Sequence, residues 1–184
     1  MQPEALLNDV TSEFQRLKRQ ADRALAQVSS EELSQTLDPA SNSLAMLMKH
    51  LSGNMRSRWT DFLTTDGDKP DRNRDAEFVT EGDAPESLKQ NWEASWQLLF
   101  EGLQSLRPED LDRSVLIRGE LHSVPQAILR QMSHHASHIG QIVFLAKHLA
   151  GNRWQTLSIP RGQSERYNAQ MRQKQTGGYG SGKP

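Results

Sequence analysis

The chain has 184 residues, 35% of them hydrophobic and 24% charged, with a net charge of −1 and no cysteine. That length suits one domain with a sizeable core, and the balanced charge supplies no global field for nucleic acid or anionic lipid. Without cysteine there is no disulfide, no thiolate nucleophile and no cysteine-type zinc site, which fits a reducing compartment.

No apolar run approaches the roughly 20 residues of a membrane span. The N-terminal residues are polar and amphipathic, with no basic stretch before an apolar one. Both features read as a cytoplasmic protein. Residues 153–184 are locally basic, a bias that suits either an anionic ligand or a solvated tail.

The first helical segment runs over about 3–28, with Leu6, Val10, Phe14, Leu17, Ala21 and Leu25 on one stripe. Pro3 suits a first turn, and Pro39 breaks the polar stretch that follows. The second spans about 43–63, with Leu44, Leu47, Met48, Leu51, Met55 and Trp59 spaced by threes and fours and Ser41 or Ser43 as its cap. A long polar loop, 64–84, comes next. Its acids and bases lack the spacing of an EF-hand, and loops this long are often functional.

The third helix is predicted over about 85–106, capped by Asp83, with Leu88, Trp92, Trp96, Leu99 and Leu103 inward. Trp92 and Trp96 read as core. Two short β-prone runs flank Arg118-Gly119 and predict a small hairpin. Ser123 caps the fourth helix, about 124–150, which ends at Gly151. A short fifth helix reaches about Lys174. The expected architecture is all-α: a four-helix bundle over 1–170 with long crossover connections at 29–42 and 64–84, then a flexible tail over 171–184.

Histidines carry the chemistry. His134 and His138 are i and i+4, one turn apart on one helix face, where two imidazoles can bind one ion. With Ile142 at zero and about 100° per residue, His138 lies about 40° and His134 about 80° to one side of the apolar stripe. His135 falls about 20° from the stripe's centre and admits two readings: a ligand with His138 at i, i+3, or, the favoured one, a core histidine or support to the site with an ordered hydrogen-bond partner. Spacing alone admits two readings of the pair: metal ligands, or ordinary surface and interior histidines. His50 flanks the stripe of the second helix, with Asn54 one turn on. His122 and His148 carry weaker signals. Arg56 and Arg58 beside Trp59 can hold an anion near the site, or simply be solvated or paired with the loop. No phosphate-binding glycine loop and no serine-nucleophile motif is present.

Three stretches carry a resemblance. They are Lys49-His50-Leu51-Ser52-Gly53-Asn54-Met55-Arg56-Ser57-Arg58-Trp59, then His134 through Ile142, then Trp154 through Ser164. Together they resemble the DinB/YfiT-like superfamily, most strongly a branch known only as a domain of unknown function. The likeness covers nearly the whole chain to about residue 170.

The resemblance implies a four-helix bundle and a divalent metal, zinc or nickel, on His50, His134 and His138; it is the resemblance that adds His50. Asn54, Arg58, His135 and Gln141 are expected around the site. Superfamily members include thiol transferases, isomerases and metal-dependent hydrolases, and dimers are common among them. The expected function is a metal-dependent transferase or hydrolase acting on a small electrophile, with an external low-molecular-weight thiol as one candidate substrate. The alternative is a non-catalytic, metal-binding dimeric bundle with a stress or ligand-binding role. A homodimer is expected, with neither nucleic acid nor membrane as partner.

Overall fold

A computed structural model describes residues 2–178. It is mostly helical, with five α-helices and one two-stranded hairpin among the described residues: α1 (Pro3–Leu25), α2 (Leu44–Trp59), α3 (Pro85–Ser105), β1 (Ser114–Ile117), β2 (Glu120–Ser123), α4 (Val124–Ala150) and α5 (Ser164–Gly178). No described helix is long and apolar enough to cross a membrane.

The apolar stripes meet in one core. Phe14, Ala21, Leu44, Leu51, Trp96, Leu99 and Ile142 are all fully buried. α2 packs on α3 and α4, while α1 packs on α4 and α3. The pairs α1–α2 and α3–α4 are not among the principal contacts, so the chain crosses between non-neighbouring helices at 26–43 and again at 106–123. The 64–84 connection differs from expectation, because it joins two helices that lie side by side. Its length serves to fold a 3-10 turn, Asp75–Phe78, back onto α2.

Several element ends differ from the sequence reading. α2 stops at Trp59, because Thr60 is extended and Asp61 takes the left-handed region at φ 49°, which a short polar side chain tolerates. Asp83 does not cap α3; Ala84 holds that position without a side-chain bond, and Asp83 instead pairs with Lys49 Nζ at 2.6 Å. α5 runs past Lys174 to Gly178, so 171–178 is helical, and the rest of the expected tail lies outside the described residues. Ser43 and Ser123 cap α2 and α4, each hydroxyl accepting from the backbone N–H three residues on.

The hairpin pairs Val115 with His122 in antiparallel register. Its two-residue turn needs positive φ at both positions, 56° at Arg118 and 75° at Gly119. Asp66 stabilises that turn, its carboxylate accepting both backbone N–H groups at 2.8 and 2.7 Å. The front half of the 64–84 loop thus clamps the hairpin, and the back half covers α2.

Candidate metal centre

Packing of α2 against α4 brings His50, His134 and His138 together, with one nitrogen from each ring within 4.8 Å of the others. His50 Nε2 stands 3.2 Å from His134 Nε2. The ring centroids of His138 lie 4.9 Å from His50 and 4.6 Å from His134. His50 is 3% exposed, and the other two are half-buried.

Each ring is aimed by its surroundings. The Nδ1–H of His50 donates to Glu77 Oε2 at 2.8 Å, which leaves the Nε2 lone pair directed at the cluster. Arg72 holds that carboxylate in turn, through Nε at 2.8 Å and Nη2 at 3.0 Å. Burial alone would raise the Glu77 pKa, but the bonds from His50 and Arg72 and the guanidinium charge outweigh it and keep the group below its ordinary value. Phe78 stacks on His50 with centroids 5.0 Å apart, and the Arg74 guanidinium lies 5.3 Å over the Phe78 ring. On α4, His138 Nδ1–H donates to Gln141 Oε1 at 2.9 Å. His134 Nδ1 is buried and has no partner among the described residues.

Gly53 permits this arrangement. A Cβ there would come within 2.2 Å of Glu77 Oε1, so any side chain would push the carboxylate away from His50. A glycine inside a helix signals close approach by another group, which was the one available clue to Glu77. Nothing periodic in the polar loop marks Arg72, Glu77 or Phe78.

Burial also sets the protonation state. It pushes His134 down to about 3, with the neighbouring histidines adding to the effect, and His135 down to about 4. His138 is lowered by burial too, against the opposing bond to Gln141. At neutral pH these imidazoles are uncharged, the form that binds metal. Two nitrogens bound to one ion at about 2.1 Å each stand roughly 3.0–3.4 Å apart, so the 3.2 Å spacing of His50 and His134 fits a shared ion. The carboxylate behind His50 is the usual support for a metal-binding histidine.

The remaining sequence candidates divide. Gln141 contacts a cluster histidine directly. His135 is in the core, its Nδ1–H donating to Gln131 O at 2.7 Å and its ring edge-on to Phe14 and Trp96. Arg58 points elsewhere: Nη1 donates to Gly67 O and faces Asp68 at 3.6 Å, so it braces the loop. Asn54 is buried one turn from His50, its Oδ1 without a partner among the described residues and no hydrogen bond to the histidines. A cavity of about 650 Å³ lies between α2, α3 and the loop. None of the three histidines lines it, although Arg72 and Glu77 form part of its wall.

A family model described as a protein of unknown function (DUF1572) matches residues 2–163. No curated protein matches the chain.

Proposed function

The chain belongs to the DUF1572 family, whose function is unknown, and from that premise we propose a metal-dependent enzyme of the DinB-like type. In this reading the helices form a four-helix bundle, since each of α1 to α4 packs on two of the others. A divalent ion, zinc or nickel, sits on His50, His134 and His138. Three neutral imidazoles suit either metal and leave its positive charge uncompensated. The observation that carries the proposal is the Glu77–His50 pair aimed at His134, an orientation that serves a shared ligand better than it serves three separate histidines.

Bound there, a divalent metal supplies Lewis acidity, which lowers the pKa of a water or an external thiol toward neutrality. The rest is done by this chain. Glu77 fixes the His50 tautomer, Gln141 fixes that of His138, and Arg72 keeps Glu77 ionised. Phe78 covers the His50 ring and shields it from water. The substrate is a small electrophile, attacked by a thiol or by water. With no cysteine in the chain, the thiol comes from outside.

The location of the large cavity, away from the histidines, favours a second reading: the ion is structural, and the bundle is a non-catalytic binding or stress protein. A second copy of the chain is the proposed partner in both. Leu129 and Phe144 are 55% and 67% exposed on one outer face of α4. Metal analysis of the purified protein, followed by turnover of a model electrophile with a glutathione-like thiol, separates the readings. Turnover that His138→Ala abolishes supports the enzyme. Bound metal without turnover supports the structural ion. No bound metal, together with an unchanged melting temperature in His138→Ala, refutes both.

A further inference from the structure

The 650 Å³ cavity shares Arg72 and Glu77 with the metal centre but is lined by none of its three histidines. Its volume lies within the range of small-molecule sites, about 300–1,000 Å³. One wall is a face of α2 that presents Ser52 and Arg56, with Asn91 from α3 beside them. Ser52 is 3% exposed, yet its hydroxyl has no hydrogen-bond partner among the described residues. A buried hydroxyl is normally paired, and this unpaired one belongs to a residue of the cavity wall.

Charges of both signs line the cavity. Lys49 is committed to Asp83 at 2.6 Å and Arg72 to Glu77 at 2.8 Å. Arg56 makes no ion pair or side-chain hydrogen bond among the described residues, and neither do the carboxylates of Asp61 and Asp71; all three line the cavity. Lys69 lies in the field of both of those acids, and its ammonium donates only to the carbonyl of Asp66, at 2.6 Å. Together Lys69, Asp61 and Asp71 sum to one negative charge, and Arg56 adds one unpaired positive charge to the same lining. A ligand of one sign would satisfy one of these and be repelled by the other.

We propose that this cavity binds a small zwitterion, an amino acid or short peptide. Its carboxylate meets Arg56 and the Ser52 hydroxyl, and its ammonium faces Asp61 and Asp71. An Arg–carboxylate bond supplies most of the affinity, because it is charged at both ends. Ser52 adds direction from the buried side.

The test uses the full chain, 15N-labelled, with and without added zinc, and three related dipeptide probes. Ala-Ala carries both charges, N-acetyl-Ala-Ala only the carboxylate, and Ala-Ala-amide only the ammonium. The dipeptide is expected to shift the backbone amides of Ser52, Arg56 and Asn91 saturably, and each blocked form to bind about tenfold weaker or less well still. Arg56→Gln, at an exposed position where folding is safe, should weaken the dipeptide by about tenfold or more, and Ser52→Ala by several-fold. Three results each overturn the proposal: no saturable shift at these amides, N-acetyl-Ala-Ala binding as tightly as the dipeptide, or Arg56→Gln binding as well as the parent.

Discussion

His50 on α2 is held by Glu77, 27 residues away in sequence, whereas His138 on α4 is held by Gln141, three residues on. The two helices deliver histidines to the same point by different means. On α4 everything needed is local: the i, i+4 spacing aims two rings one way, and one more turn supplies a hydrogen-bond acceptor. On α2 a single histidine depends on a glycine, a folded-back loop and an Arg–carboxylate pair. Helical spacing can build two ligands of a site cheaply, but the third takes tertiary structure, and so the site's rigidity depends on the loop.

The largest loss is expected on removing one ligand from either helix. His50→Ala and His138→Ala should each lower zinc affinity by at least about a hundredfold, measured by competition with a chromophoric chelator. If His50→Ala binds as well as the parent, the site belongs to α4 alone and the comparison collapses.

The orienting groups come next. Glu77→Gln keeps the shape but loses the charge, and is expected to weaken zinc about 10- to 100-fold. It should also lower stability by about 1–3 kcal/mol in urea unfolding, since Arg72 then keeps only the longer contact to Asp68 at 3.8 Å. Gly53→Ala should reproduce the metal defect by displacing Glu77. Gln141→Ala, at the more open α4 side, should cost less than Glu77→Gln. Equal losses would show that the two rings are held alike.

The next effect is on pH and sharpens the α4 side. His135 and His134 have folded pKa values lowered to about 4 and about 3 by burial. The unfolded chain therefore binds more protons below the ordinary value near 6.5, and stability falls as pH drops. For fully buried His135 the metal-free protein should lose about 2 kcal/mol between pH 7 and pH 5, with His134 adding to it. Stability in urea followed against pH reads this directly. His135→Leu should flatten the slope, and an unchanged slope would place the titration elsewhere.

The smallest effect concerns the other end of the loop. Asp66→Ala removes the acceptor for both backbone N–H groups of the hairpin turn and should cost about 1 kcal/mol, while leaving zinc affinity unchanged. A concurrent loss of metal would show that the loop's two halves are coupled.

The helices of this chain were legible because their signals are local. Stripes such as Val10, Phe14, Leu17 and Ala21 face one way by helical period, Ser43 and Ser123 announce their caps, and Arg118-Gly119 marks a turn. The burial of His135 also followed from its rotation angle alone. α2 was harder, because many of its polar residues, including His50, Asn54 and Arg58, are buried under a loop that the helical period cannot reveal. Asp83 looked like a cap, but a lysine from another helix competed for it.

The four long helices, the hairpin and the α4 histidine pair could be read from local signals, since each depends on residues within a turn or two of one another. Which helices touch, how the 64–84 loop folds back onto α2, and the placing of Glu77 and Arg72 behind His50 emerge with packing. Those contacts link residues far apart in the chain, and their energy comes from burial and charge pairing, which exist only once the helices have packed.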